Sequence, residues 1–199
     1  MSSSLSSLQP PGTLSFDAVA VVDFWRAAGP TRWFAHDAAF DTEFGGRFAV
    51  QHAAAVHDAA TGVYADAVDP PRSALGLVLL LDQYPRNAFR DTPRMFATDA
   101  AGLAAARHAG AAGFDRQLGD GDAALRVFFY LPFMHSEDLA DQERCLALTA
   151  PLGGETHRFA QTHHDAIARF GRFPHRNRLL GRRSSAEELA YLARGGFAG

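Results

Sequence analysis

Apolar residues along this chain recur at spacings of three and four, and the runs end at glycine or proline. Phe16, Val19, Ala20, Val22 and Trp25 precede Gly29-Pro30, which predicts a first helix capped by Ser15. A longer stretch, 36–60, carries Ala39, Phe40, Phe44 and Phe48, and Gly45-Gly46 predicts a break or a close helix contact at its middle. After Pro70-Pro71 a helix is expected to start at Ser73. Its Leu75, Leu77, Val78, Leu79, Leu80 and Leu81 leave no polar face, so it must be buried on all sides. Thr98 leads into a helix that passes Leu103 and Ala106 to reach Gly110. Residues 120–131 are again apolar all round, and Pro132 breaks that run. Ser136 is placed to cap a helix reaching Ala150. A helix over 155–170 shows Phe159, His163, Ile167 and Phe170 on one face and stops at Gly171. The last helix opens with a capping box, Ser184 to Glu187 or Ser185 to Glu188, and closes at Gly195.

No pair of neighbouring segments alternates as strands do, and no repeat of fixed period is present. The expected fold is all-α, with about eight helices in antiparallel stacked pairs around two nearly all-apolar helices. A length of 199 residues and 47% hydrophobic content suit one domain, taken as 15–199 behind a flexible tail of 1–14. The tail lacks a basic start and an unbroken apolar stretch, so it does not read as a secretory signal. The longest apolar run, 74–81, is far short of the ~20 residues that cross a bilayer. A cytoplasmic protein without membrane partners is expected.

The net charge of −3 argues against a general nucleic-acid binder. All 19 basic residues are arginine, the usage of a GC-rich genome, so the arginine count alone does not signal function. The single cysteine, Cys145, excludes an intrachain disulfide and a cysteine-rich metal site. It sits among Leu139, Leu146 and Leu148 and reads as a small buried hydrophobe.

Chemistry concentrates in three polar phrases set against apolar helices. Asp82-Gln83-Tyr84-Pro85-Arg86-Asn87 and Arg172-Phe173-Pro174-His175-Arg176-Asn177 echo one another, and His135-Ser136-Glu137-Asp138 follows the most aromatic run of the chain. Buried polar groups need partners, so the phrases are expected to meet each other or a ligand. Asp82 and Arg86 stand four apart on one helix face and form a natural ion pair.

Three readings compete. In the first, Asp82, Arg86, Asn87, Arg90, Arg172, His175, Arg176 and Asn177 line a site for an acidic peptide or a small anionic metabolite. In the second, His135 is an acid–base catalyst, with Glu137 or Asp138 orienting it and Arg86 with Arg176 as an electrophilic clamp. In the third, the phrases only lock helix ends together. His135-Ser136-Glu137 opens like a zinc deaminase signature but lacks the cysteine pair, and His163-His164-Asp165 has no metal-ligand spacing. Neither a metal nor a cofactor is expected. Phosphate loop, nucleophile elbow and dinucleotide fingerprint are absent from the sequence.

Leu81 to Asn87, Pro93-Arg94, Tyr130 to Asp138 and Arg169 to Asn177, with Asp23-Phe24-Trp25 and Trp33-Phe34, resemble the bacterial "domain of unknown function 924" family over about 16–194. The resemblance implies an all-helical fold similar to tetratricopeptide-repeat proteins. It implies no established activity.

Overall fold

The computed structural model describes residues 13–199, so most of the expected tail lies outside the described residues. Leu14, assigned from sequence to that tail, is instead buried and donates its N–H to Asp66. The described residues are helical throughout, without a strand. The α-helical segments are α1 (Ala18–Ala28), α2 (Pro30–Trp33), α3 (Ala38–Arg47), α4 (Ala49–Ala60), α5 (Pro70–Val78), α6 (Tyr84–Ala88), α7 (Asp99–Ala112), α8 (Leu131–Met134), α9 (Leu139–Thr149), α10 (Gly154–Phe170) and α11 (Ala186–Ala193). Helix α9 packs on α10 as a helical hairpin, α1 packs on α5, and α3 on α6. Such pairing is compatible with tetratricopeptide-like stacking.

The first all-apolar stretch lies inside, whereas the second, 120–131, is continuously buried only from Val127, with Asp120, Gly121, Ala123 and Ala124 exposed. Every residue from Ser73 to Pro85 and from Val127 to Met134 is buried. Around them Trp25, Phe40, Phe44 and Phe128 form an aromatic core, with Trp25 5.0 Å from Phe44 and edge-on to Phe128 at 5.5 Å. Trp33 donates its indole N–H to the Trp25 carbonyl at 2.7 Å, which fixes α2 against α1.

Several local expectations are corrected and others are narrowed to one of their alternatives. Asp17, not Ser15, caps α1, because the Ser15 amide and hydroxyl are both taken by the Asp58 carboxylate. The 36–60 stretch breaks at Phe48, and α3 runs through Gly45-Gly46, where Gly45 packs closely on Ala88. Asp69 caps α5, leaving the two prolines in the first turn, where a missing N–H costs nothing. Asp138 rather than Ser136 caps α9; the Ser136 hydroxyl is spent on Asp141. Residues Asp120–Phe129 form a 3₁₀ helix. A three-residue turn aligns Asp122, Leu125 and Phe128 on the core, which a 3.6-residue turn would splay. Of the two possible capping boxes, Ser185–Glu188 forms.

The feature that shapes the site is a π-helical turn, Leu79–Gln83, joining α5 to α6. Pro85 has no N–H to give and its ring would strike the carbonyl one turn back. The backbone widens instead, and the Tyr84 N–H reaches the Leu79 carbonyl five residues earlier. The carbonyls that follow are served by side chains. His52 Nδ1 donates to Leu80 O at 2.9 Å, Thr98 Oγ1 to Leu81 O, Arg86 Nη1 to Asp82 O at 2.8 Å, and Asn87 Nδ2 to Gln83 O at 2.8 Å. The carbonyls opposite the missing Pro85 N–H are thus served from outside the phrase, by His52 and Thr98, while Arg86 and Asn87 add side-chain donors from within it.

Three substitutions test this packing. A Cβ at Gly76 would drive into the Ala18 carbonyl where α5 crosses α1, so Gly76→Ala should lose about 1–3 kcal/mol or more, whereas exposed Gly46→Ala in α3 should be neutral or gain up to about 1 kcal/mol. Thr98→Val removes the side-chain donor to the buried Leu81 carbonyl and should cost about 1–3 kcal/mol. Urea unfolding with unchanged m-value is the measurement for all three.

Candidate functional site

The π turn presents Asp82 at the protein centre, fully buried. Its carboxylate accepts from His135 Nδ1 at 2.8 Å, from Gln83 Nε2 at 2.6 Å, and pairs with Arg86 Nη1 at 3.2 Å. Burial alone would raise its pKa, but Arg86, His135 and Gln83 overcome that and hold it down at about 2. His135 therefore has a carboxylate partner, yet the partner is Asp82, and the expected roles of Glu137 and Asp138 are corrected. Glu137 is bound bidentately by Arg182 at 2.6 and 2.9 Å and accepts the Phe173 N–H at 2.8 Å. Asp138 is a helix cap.

The third phrase arrives through Arg176. Its Nη2 donates to the His135 carbonyl at 3.1 Å, and its Nη1 to Asp99 Oδ2 at 3.1 Å. The other Asp99 oxygen takes Arg86 Nη1 at 2.8 Å, so one carboxylate at the start of α7 bridges the two arginines. Phe96 and Phe173 stack on the Arg176 guanidinium at 4.5 and 4.6 Å from their ring centres. Met134, Phe133 and Ser136 carbonyls at the end of α8 all receive Gln142 Nε2, which fixes the backbone from which His135 projects.

The three phrases therefore converge, but only in part. Asp82, Arg86, His135 and Arg176 form one cluster, and Asn87 supports the turn beneath it. His175 stands beside it with its ring 5.6 Å from Phe173 and 5.0 Å from Phe197. Arg90 is bound bidentately by Asp41 of α3 at 2.9 and 3.0 Å. Arg172 is held by Glu188, and Asn177 donates to Ser184, so these two residues anchor α11. The sequence reading missed Asp99, whose place after Thr98 suggested only a helix start. It also missed Gln142, while His163, expected on the apolar face of its helix, is buried there with Nδ1 bonded to Phe159 O at 2.8 Å and its ring centre 6.3 Å from that of His135.

The cluster's two arginines are matched by the Asp82 and Asp99 carboxylates, and burial holds its histidines below their ordinary range. Burial pushes His163 down to about 3 and His175 to about 4, in each case helped by Arg176. Burial and then Arg86 lower His135. Burial, opposed by Asp99 and aided by Arg86, lowers even Arg176 to about 10. Two guanidinium donors, Arg86 Nη2 and Arg176 Nε, are buried without a hydrogen-bond partner among the described residues. With Nδ1 committed to Asp82, the imidazole of His135 has Nε2 as its basic nitrogen. Cys145 is buried and its thiol is pushed up to about 12 by desolvation, which leaves it inert. No group of three or more potential metal ligands occurs among the described residues, and no helix there is long and apolar enough to cross a membrane.

A solved protein of unknown function from Agrobacterium tumefaciens, ATU0120, superimposes with a TM-score of 0.81 at 46% identity, covering 89% of this chain and 97% of that one. A search of the curated proteins finds no match. The family model described as "Bacterial protein of unknown function (DUF924)" matches residues 21–196, and with nearly the whole chain inside that match, this protein belongs to the DUF924 family.

Proposed function

We propose that the chain binds a small anionic metabolite at the cluster of Arg86, His135 and Arg176. The observation that carries the reading is the pair of buried guanidinium donors without partners, set beside histidines held neutral. Native structures pair such donors, and an anion would satisfy them. The burial of the cluster disfavours a peptide: Asp82 is fully buried and Arg176 is 6% exposed. An extended acidic peptide needs an open groove to reach its partners. Binding an anion next to neutral imidazoles also makes them easier to protonate, so binding should take up protons.

A structural lock is the competing reading, and Asp99 favours it, since this one carboxylate already bridges both arginines. An acid–base enzyme would use the same Asp82–His135 pair, with His135 Nε2 as the base. It would require a substrate seated against the same arginines, so binding is the first property to establish.

Titration calorimetry with sulfate, whose charge is constant over the range, separates the first two readings. Anion binding predicts tighter association at pH 5.5 than at pH 7.5, up to about tenfold per pH unit for each proton taken up, with heats that depend on the buffer. Arg176→Gln should abolish it. If neither sulfate nor inorganic phosphate gives a heat at either pH, and Arg176→Gln loses only stability, the cluster is a lock.

The histidines predict a second result. His52, His135, His163 and His175 all have folded pKa values below the ordinary 6.5. As pH falls below that value the unfolded chain gains protons that the folded chain refuses. Stability should therefore be full above about pH 6.5 and decline on acidification, by about 1.4 kcal/mol per pH unit for each histidine involved. Urea midpoints between pH 7.5 and 4.5 measure the slope; a flat profile would contradict the burial of these rings.

A further inference from the structure

A second constellation lies further along α7. Arg107 is eight positions beyond Asp99, about 12 Å along the helix axis. Here α7, the Phe114–Arg116 turn, α8 and α9 enclose a cavity of about 330 Å³, within the size range of small-molecule sites. Small residues of α7, Ala106 and Gly110 among them, leave the room, and Phe129, Phe133 and Leu148 supply an apolar wall.

The polar groups of this cavity are divided by sign. At its base Asp115 is 3% exposed and accepts the Tyr130 hydroxyl on Oδ2 at 2.8 Å. Its other oxygen, Oδ1, is buried with no hydrogen-bond partner among the described residues. An unpartnered carboxylate oxygen in such a place costs stability unless a donor reaches it, and one with formal charge calls for a cationic donor. Burial and the adjoining Asp115 both raise the Tyr130 pKa, so the phenol remains a donor to Asp115 and cannot supply a counter-charge. The rim carries the opposite sign. Arg107, Arg116 and Arg144 line it. Arg107 pairs with Asp141, while Arg116 and Arg144 make no ion pair among the described residues. An anionic acceptor at the base, guanidinium donors at the mouth and an apolar wall between them together define one kind of guest.

We propose that this cavity binds a small zwitterion, an α-amino acid with an apolar side chain, placing its ammonium on Asp115, its carboxylate on Arg116 and Arg144, and its side chain against Phe129, Phe133 and Leu148. The site is distinct from the Arg86–His135–Arg176 cluster, so either can fail without the other. Its recognition logic is that of any buried hydrogen-bonding group: a ligand lacking the matching group leaves the protein's own group unpaired and is rejected strongly.

Titration calorimetry on the full chain tests this with L-leucine and L-phenylalanine, and with two truncated analogues of leucine, isoamylamine and 4-methylvalerate. At least one amino acid should bind, and each analogue should bind at least tenfold more weakly than leucine. Asp115→Asn should weaken leucine at least tenfold while leaving 4-methylvalerate little changed. Because Asp115 is buried, the exposed double variant Arg116→Gln/Arg144→Gln gives an independent check: it should fold normally and lose leucine while sparing isoamylamine. Absence of any heat with both amino acids at millimolar concentration overturns the proposal, as does leucine binding that survives the double arginine variant unchanged.

Discussion

A buried carboxylate with no water around it must be surrounded by donors, and Asp82 organises this molecule on that requirement. It sits on a π-helical turn at the junction of α5 and α6, where every neighbouring residue in the chain is apolar or itself hydrogen-bonded. To remain ionised there it draws in His135 from the end of α8, Gln83 beside it and Arg86 one turn on. Arg86 then engages Asp99, Asp99 engages Arg176, and Arg176 returns to the His135 backbone. Four segments remote in sequence are closed into one ring of charge-assisted contacts, the strong class of hydrogen bond.

Pro85 is the reason this ring can exist. By interrupting the backbone ladder it leaves carbonyls of a buried turn open to side-chain donors. His52, Thr98, Arg86 and Asn87 answer from α4, from the residue before α7, and from α6 itself. The same device recurs at the end of α8, where Gln142 and Arg176 cover carbonyls next to His135. A carboxylate cluster alone would hold side chains. These backbone contacts also fix where the helices end, and hence where His135 is aimed. A consequence is that the two functions proposed for the chain share α7 as their common wall, with Asp99 at one end and Arg107 further along.

Much of the framework was legible in the chain, and the reasons are particular. Of two stretches read as having no polar face, the one from Ser73 to Leu81 lies wholly inside, and 120–131 is continuously buried only from Val127. The i,i+4 spacing of Asp82 and Arg86 foretold their pairing, and the Ser185–Glu188 box foretold the start of α11. The π turn was hidden because an all-apolar segment carries no phase from which helical period could be read. Glu137 looked like the partner of His135 from two residues away, but its true partner, Arg182, is 45 positions on. Asp99 was illegible for the same cause: a single acid at a helix start satisfies the dipole and gives no hint that two distant arginines meet there. Pairings set by tertiary approach leave no local trace, and four of the residues expected in the site, Asp138, Arg90, Arg172 and Asn177, instead hold other parts of the fold.

The direct test is to follow the Asp82 carboxyl carbon by NMR through an acid titration, for as long as the chain remains folded. If Arg86, His135 and Gln83 outweigh the penalty of burial, Asp82 stays ionised as the pH passes below the ordinary 3.8, toward about 2. A folded protein in which that carboxyl gains its proton at or above 3.8 would contradict the account, for then the ring of contacts around it would not be what holds the centre together.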